Sequence, residues 1–181
     1  MNTPDASAPP AVPTPALLAL RVAALAVHFR RVQAERMQGV ALLNPALSVE
    51  AVGFEWADAP AGDPIHAVAE GVLITPWFMS LLRLPAPLLP HGDRVGRKSI
   101  RDFGIERFEF IGAFDPALGY HETCALFSPM NGFTSQALAR ETAEASLALV
   151  RAAQPVVPAT EAVPARRAFF MGRPAPTGSP A

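Results

Sequence analysis

Residues 47–56 read LSVEAVGFEW, and residues 66–75 read HAVAEGVLIT. Both runs are rich in β-branched and aromatic residues, which favour extended strands. The turn-forming sequence DAPAGD stands between them at 58–63. We therefore predict two antiparallel strands joined by a loop, and the rest of the fold is built outward from this pair.

Residues 99–114 and 118–127 are predicted as two further strands, since both are apolar and aromatic and the turn Asp115-Pro116 separates them. Between the two strand pairs, Thr75-Pro76 is a helix-start signal. The run from there to Pro85 has room for two turns. A short apolar helix is predicted at 77–84.

A longer helix is predicted at each end of this region. Thr14-Pro15 begins the first and Gly39 stops it, while Ser135 or Thr134 caps the second, which runs to about Ala153. In the first helix one face repeats at helical spacing: Leu18, Val22, Leu25, Phe29 and Val32. The predicted class is α+β, a two-layer sandwich of about four antiparallel strands with both helices packed on one face.

The two ends of the chain differ in composition from the middle. Residues 1–15 and 155–181 hold eleven of the twenty prolines, which predicts disordered tails. The boundaries expected are a Pro-rich tail at 1–15, one domain at 16–153 and a C-terminal tail at 154–181. With 181 residues, half of them hydrophobic, one core is expected.

Charge and hydropathy exclude two classes of partner. A net charge of −1 leaves no excess positive field for phosphate, so no nucleic-acid partner is expected. The apolar run from Leu17 to Phe29 contains Arg21 and is shorter than the roughly 20 residues that span a bilayer. No membrane insertion is predicted, and with no secretory signal and one cysteine we expect a cytoplasmic protein.

The chain shows little that predicts chemistry. None of the four histidines stands at metal-ligand spacing with another donor, and His121 and Cys124 should point to opposite faces of a strand. Cys124 is either a core residue or, with a base beside it, a nucleophile. There is no phosphate loop or nucleophile elbow. We predict a non-enzymatic protein without cofactor or metal.

Two neighbouring features predict binding instead. Between Arg36 and Arg83 there is no Lys or Arg, yet the segment carries several carboxylates, so one side of the sheet should be acidic: Glu50, Glu55, Asp58, Asp63 and Glu70. Trp77-Phe78-Met79 follows directly, either as an exposed docking surface or as a plug in the core. An acidic face beside apolar pockets suits a ligand with a basic end and an apolar stretch.

Five ordered segments resemble one known family. They are NPAL at 44–47, VEAVGF at 49–54, GVLITPWFM at 71–79, YHETCALFSPM at 120–130 and ARRAFFMGR at 165–173. Together they resemble the HybE-type, HoxT-like assembly chaperones of [NiFe]-hydrogenases, over about residues 16–173. Some members of that family carry a rubredoxin module with four iron-binding cysteines, and this one-cysteine sequence is expected to be without it.

The resemblance implies a chaperone for hydrogenase precursors, especially the small subunit with its twin-arginine signal peptide before export. Two alternatives stay open: a chaperone of the large subunit, and a small thiol or redox maturation factor that uses Cys124. Other maturation proteins are further possible partners. The expected partner-binding residues are Glu50, Glu55, Asp58, Pro76, Trp77, Phe78, Met79, Tyr120, Ser128, Pro129, Met130, Arg166, Arg167 and Phe169.

The last three of these belong to a segment that reads like the core of a twin-arginine signal. No apolar stretch follows it, because Gly172, Pro174 and Pro176 interrupt any helix. The segment either packs back on the domain as a basic tail, or occupies the client groove by mimicry until a precursor displaces it.

Overall fold

The computed structural model describes residues 13–57 and 67–152 of the chain. Within these ranges two α-helices flank the strands in sequence, and one 3-10 turn lies at Gly92–Arg94. The elements are α1 Pro15–Arg36, β1 Glu50–Ala57, β2 Val68–Ile74, β3 Met79–Pro85, β4 Lys98–Phe103, β5 Glu106–Asp115, β6 Gly119–Phe127 and α2 Gln136–Arg151. The predicted tails lie largely outside the described residues.

The described strands form one sheet in the order β1-β2-β3-β6-β5-β4, with every neighbouring pair antiparallel. This confirms the α+β class and the antiparallel sheet. The sheet has six strands, so the prediction of about four was too low. The outermost strands are β1 and β4, and each leaves one edge unpaired within the described residues.

The predicted helix at 77–84 is wrong, because this segment is β3. The Thr75 hydroxyl accepts a hydrogen bond from the Phe78 amide at 2.9 Å, and the Thr75 amide donates to the Phe78 carbonyl at 2.8 Å. These bonds make Thr75-Pro76 part of a tight turn between β2 and β3. The apolar segment that follows is buried on both sides. A central strand covered on both sheet faces buries its side chains in this way.

The predicted strand at 99–114 divides into β4 and β5 at Gly104. Gly104 has a φ of +61°, in the left-handed region that glycine enters without strain. The Ile105 amide then donates to the Val150 carbonyl at 2.7 Å, which fastens the turn to the end of α2.

The two helices pack on opposite faces of the sheet, so the prediction of one shared face is wrong. Leu25 of α1 packs with Leu73 of β2, whereas Leu147 of α2 belongs to the cluster that holds Val72 of the same strand. Neighbouring residues of a strand point to opposite faces. Every residue of β2 is buried, so both faces of the sheet must be covered at this strand. Each helix therefore packs as a second layer on one face of the sheet.

A bulge in β1 lets one strand serve both helices. The register slips between Val52 and Glu55, where Gly53 has a φ of +60°. As a result Val52 packs with the α2 cluster while Phe54, two residues on, packs with the α1 cluster.

The first helix begins as predicted, with the Thr14 hydroxyl capping the amide of Leu17 at 3.1 Å. The predicted face is only part of what it buries. Arg21 is 5% exposed and donates to the carbonyls of Pro85 and Leu118. Among the described residues, neither helix combines the length and hydropathy that crossing a bilayer requires.

Candidate functional site

Three segments that are far apart in sequence meet at one end of the sheet, where β1 and β3 begin and β2 and β6 end: residues 40–47, 75–78 and 127–133. We call this surface the loop end. Asn44 ties it together, since its amide group donates to the carbonyls of Met130 at 2.9 Å and Phe133 at 2.7 Å. Its backbone amide donates to the Pro76 carbonyl at 2.9 Å.

Aromatic rings surround these hydrogen bonds of Asn44. Trp77 and Phe78 pack edge to face with centroids 5.7 Å apart, and Phe127 and Phe133 do so at 5.2 Å. Phe127 is 41% exposed, and Trp77 and Phe78 are half-buried. Partly exposed rings held in fixed positions are typical anchors for a protein partner.

The loop end contains most of the apolar residues that were predicted to bind a partner. Ser128 and Pro129 are exposed there, whereas Pro76 and Met130 are buried and support the surface from below. Met79 is fully buried in the core. The motif is therefore partly a surface and partly core: Trp77 and Phe78 reach the surface, whereas Met79 packs in the core.

Arginines from later segments pair with the carboxylates of the predicted acidic face that the structure describes. Glu50, beside the loop end, accepts hydrogen bonds from Arg140 at 2.7 Å and from Gln136. Although partial burial opposes it, these bonds lower the pKa of Glu50. Glu55 pairs with Arg151 at 2.7 Å, and Asp58 lies outside the described residues.

At the opposite end of the sheet the α2 face carries a cleft of about 440 Å³. We call it the charged cleft. Its walls come from both edge strands, β2, β3, the β4–β5 turn and the end of α2, so the curved sheet brings its own edges towards each other. It is lined by Glu55, Trp56, Ala57, Glu70, Arg83, Ile100, Arg101, Asp102, Gly104 and Arg151.

A row of ion pairs forms the floor of the charged cleft. Arg83 donates to Glu70 at 2.7 Å and to Glu122 at 3.0 Å, and Arg101 donates to Glu122 at 2.8 Å. Burial raises the pKa of Glu70, although Arg83 opposes the shift. The charges are thus held in place by one another, and each buried carboxylate has a guanidinium partner.

Tyr120 lies beneath this row and not at the loop end. Its hydroxyl donates to Glu122 at 3.1 Å, and burial together with the neighbouring carboxylate raises the pKa of Tyr120 to about 12. The ring is 1% exposed. Tyr120 was predicted to bind a partner, but its side chain is buried and does not reach the surface.

Sequence reasoning missed the charged cleft, because the register that aligns its charges pairs strands that are distant in the chain. Glu70 faces Arg83, and Arg83 faces Glu122, in successive pairings across β2, β3 and β6. One signal was available. A single arginine in the apolar run 79–85 is a charge that needs a buried partner.

The two side chains that the sequence offered as a metal ligand or nucleophile, His121 and Cys124, lie apart from each other. His121 is buried on the α1 face and Cys124 packs with the α2 cluster, so the predicted opposite orientation is confirmed. Burial, and then Glu109, raise the pKa of the Cys124 thiol. Within 13–57 and 67–152 no three His, Cys, Asp or Glu side chains are grouped as metal ligands.

Comparison with known proteins identifies the family. The family model "[NiFe]-hydrogenase assembly, chaperone, HybE" matches residues 20–172. Protein HoxT of Cupriavidus necator is 43% identical over 161 residues, which cover 84% of this chain and 89% of HoxT. The hydrogenase expression/formation protein HoxT of Azotobacter vinelandii is 34% identical over 149 residues, covering 81% and 92% of the two chains.

The fold agrees with this. The solution structure of HybE from Escherichia coli superposes with a TM-score of 0.53 at 19% identity, over 86% of this chain and 91% of that one. The chain belongs to the HybE family of [NiFe]-hydrogenase assembly chaperones.

Proposed function

We propose that this chain is a non-catalytic chaperone that binds the immature small subunit of a [NiFe]-hydrogenase, with its twin-arginine signal peptide, in the cytoplasm before export. Membership of the family supports a hydrogenase client. The observation that carries the binding role is the loop end, where Asn44 fixes three segments and leaves aromatic rings partly exposed around a packed support.

The loop end fits the apolar part of such a signal peptide. An apolar helix-prone stretch binds by packing against rigid aromatic anchors, and a few such anchors carry most of the affinity. Trp77, Phe78 and Phe127 have this position. Since Met79 and Met130 are buried beneath them, the surface is preformed, and binding needs little ordering.

The basic part of the client has a carboxylate nearby. Glu50 is 26% exposed at its side chain and shares its charge with Arg140, which is half-exposed. A carboxylate has about four acceptor positions, so a client arginine can bind Glu50 beside Arg140. We infer that Glu50 orients the client while the aromatic rings supply affinity.

Capture of a purified small-subunit precursor by the full chain tests this function. Phe127→Ala should weaken capture about tenfold, as expected for one interface anchor. The matched control is Leu149→Ala, an apolar residue that is 75% exposed on α2. The control should change capture less than twofold.

Equal losses in the two variants, or none in either, would remove the loop end as the binding surface. The same assay with the isolated large subunit decides between clients. Capture of the large subunit alone would overturn the small-subunit assignment.

Unchanged capture by Cys124→Ala is expected of a chaperone, whereas a thiol-dependent factor would lose its effect on the precursor.

A further inference from the structure

The outer face of α1 carries no charged side chain along more than half of the helix. Every exposed residue from Pro15 to Val27 is apolar, and the first exposed charged side chain is that of Arg30. Arg21 lies within this stretch but is buried against the sheet, where it donates to the Pro85 carbonyl. A surface helix usually places charged and polar residues on its solvent face. This face of α1 therefore has the composition of an interface.

The second helix shows the usual pattern. α2 exposes Leu149, but its solvent face also carries Glu141 and Glu144. On α1 the exposed apolar face includes two large side chains, since Leu20 and Val27 are 67% and 62% exposed. No described residue covers them. A partner that removes them from water is stabilised by their burial.

The exposed residues of α1 repeat at the spacing of a coiled-coil seam. Ala16, Leu20, Ala23 and Val27 follow one another at intervals of four, three and four residues. Two helices with this repeat interlock their side chains. We call these four residues the outer seam. Small and large side chains alternate along it, so each alanine leaves room for a large side chain from a facing helix.

Contacts on the inner side of α1 fix the direction in which the outer seam points. Arg21, Leu25 and His28 are buried on that side. Arg21 donates to the Leu118 carbonyl at 2.7 Å, and Leu25 packs in the cluster between α1 and the sheet. The helix therefore cannot turn the seam inward. Because the seam is preformed, a partner can bind it with little ordering.

The outer seam fits a second copy of itself in antiparallel orientation. When the two helices cross between Leu20 and Ala23, each Leu20 lies against Ala23 of the other copy. Each Val27 then lies against Ala16, so a large side chain meets a small one in every layer. A parallel pair would set alanine against alanine, which leaves those layers underfilled.

Charge favours the same orientation. Arg30 and Arg31 are exposed just beyond the outer seam. In the antiparallel pair Arg30 falls opposite Pro13 of the other copy, so the arginines of the two copies are on the order of 25 Å apart along the helices. Exposed charges are largely screened beyond roughly 10 Å. In a parallel pair the same arginines would be neighbours and would repel one another.

The remaining segments of this chain are poorer partners for the outer seam. Residues 1–12 contain no large apolar side chain except at their two ends. Arg166, Arg167 and Phe169 of the C-terminal segment lie outside the described residues. The described chain ends at Ala152, after α2 on the opposite face of the sheet. A second copy, in contrast, brings a seam of matching length, shape and charge.

We propose that two copies of this chain form a dimer through their outer seams, with the α1 helices antiparallel about a two-fold axis. The dimer buries Leu20 and Val27 of both copies. A contact between two helices of this length is smaller than the roughly 800 Å² per partner of a stable complex. The dimer is therefore reversible and forms at micromolar or higher concentration.

Sedimentation of the full chain tests the dimer. Between about 5 and 500 μM, the mass should rise from that of one chain towards that of two. Leu20→Glu should weaken association at least about tenfold, because it brings an unpaired charge into the apolar seam. Val27→Glu is a second variant with the same expected effect. Leu149→Glu, the same change at a 75% exposed position of α2, is the matched control and should alter association less than twofold.

Both seam positions are exposed, so both variants should keep the free energy of unfolding of the unsubstituted chain, measured in urea. A chain that stays monomeric at about 500 μM would overturn the proposal. Association that neither glutamate variant weakens would overturn it as well. A monomer whose capture of a precursor falls with Leu20→Glu would mark the seam as a client surface, and that result also excludes the dimer.

Cysteine cross-linking tests the orientation. In a Cys124→Ala background, Ala16→Cys and Val27→Cys chains that are mixed with a soluble disulfide should form a mixed dimer at least about tenfold faster than either links to itself. The antiparallel pair brings positions 16 and 27 together. Two copies of position 16 lie on the order of 16 Å apart along the helices, too far for the roughly 4–7 Å between the Cα atoms of a disulfide.

Faster linking of each chain to itself would show a parallel pair and overturn the arrangement. No hydrogenase subunit enters the sedimentation or the cross-linking. Their failure is therefore separate from a failure of the loop end to capture a precursor.

Discussion

The side-chain amide of Asn44 donates a hydrogen bond of 2.9 Å to the Met130 carbonyl, from the loop before β1 to the loop after β6. The second amide hydrogen is used on Phe133, and the side-chain oxygen accepts from the Ala46 amide at 3.0 Å. A residue that is 9% exposed thus satisfies three backbone groups. These groups belong to the segments that carry the loop end.

Replacing Asn44 should therefore disturb stability and binding together. Asn44→Ala leaves the part-buried Phe133 carbonyl without its side-chain donor, and the Met130 carbonyl keeps only the Phe133 amide at 3.1 Å. An unsatisfied carbonyl costs about 1–3 kcal/mol where water cannot replace the donor. We expect a loss in the free energy of unfolding of at least about 1 kcal/mol, measured by urea denaturation, and weaker precursor capture. Asn131→Ala, an exposed asparagine of the same end, is the control. An equally small effect of both would show that Asn44 does not organise the loop end.

Trp77 and Met79 should separate binding from folding. Met79 is fully buried, so Met79→Ala should lower the free energy of unfolding by about 2–5 kcal/mol, the usual range for a core truncation. Trp77→Ala should cost less stability, because the ring is half-buried, but should weaken capture about tenfold. Urea denaturation and precursor capture on both variants check this. A Trp77→Ala protein that is unfolded, or that captures normally, would contradict the role of the ring.

How far the sequence predicts this fold depends on the range of the interactions involved. The first residues of α1 and α2 were predictable, because Thr14 and Ser135 cap the starts of their own helices through contacts three residues away. Thr75-Pro76 misled because the same local signal begins a helix or closes a turn. Pairing of β3 with β2 and β6 decides between these outcomes, and local sequence does not contain it.

The same reasoning explains the candidate sites. The apolar members of the loop end were found because Trp77 and Phe78 are adjacent and conspicuous. The pairing of Glu50 with Arg140 and of Glu55 with Arg151 was not predicted, because both arginines come from the last helix. These pairs form because α2 packs on the sheet to bury one of its faces. A count of the charges within one segment of the sequence cannot show where that helix will lie.

Glu50 should make stability depend on pH in one direction. Its pKa in the folded chain lies below the ordinary value of 4.5, although partial burial opposes this, because Arg140 and Gln136 bind the ionised form. The stabilisation is therefore complete above about pH 4.5 and is lost as pH falls through the folded pKa. The difference in unfolding free energy between the unsubstituted chain and Glu50→Gln should be constant from about pH 5 to 8 and shrink below that range. A difference that grows in acid would refute the assignment.

Cys124 should react slowly in the folded chain. Burial among the residues under α2, and then the charge of Glu109, raise the pKa of its thiol, so less thiolate is present near neutral pH than in the unfolded chain. Since the thiolate is the reactive form, modification by a soluble disulfide reagent at about pH 7.5 should be at least about fivefold slower in the folded chain than in urea. Denaturation supplies the internal control, because the same single thiol is compared in both states. Reaction faster in the folded chain would mean a thiol activated by its surroundings, and it would favour the thiol or redox maturation factor over a chaperone that acts by binding alone.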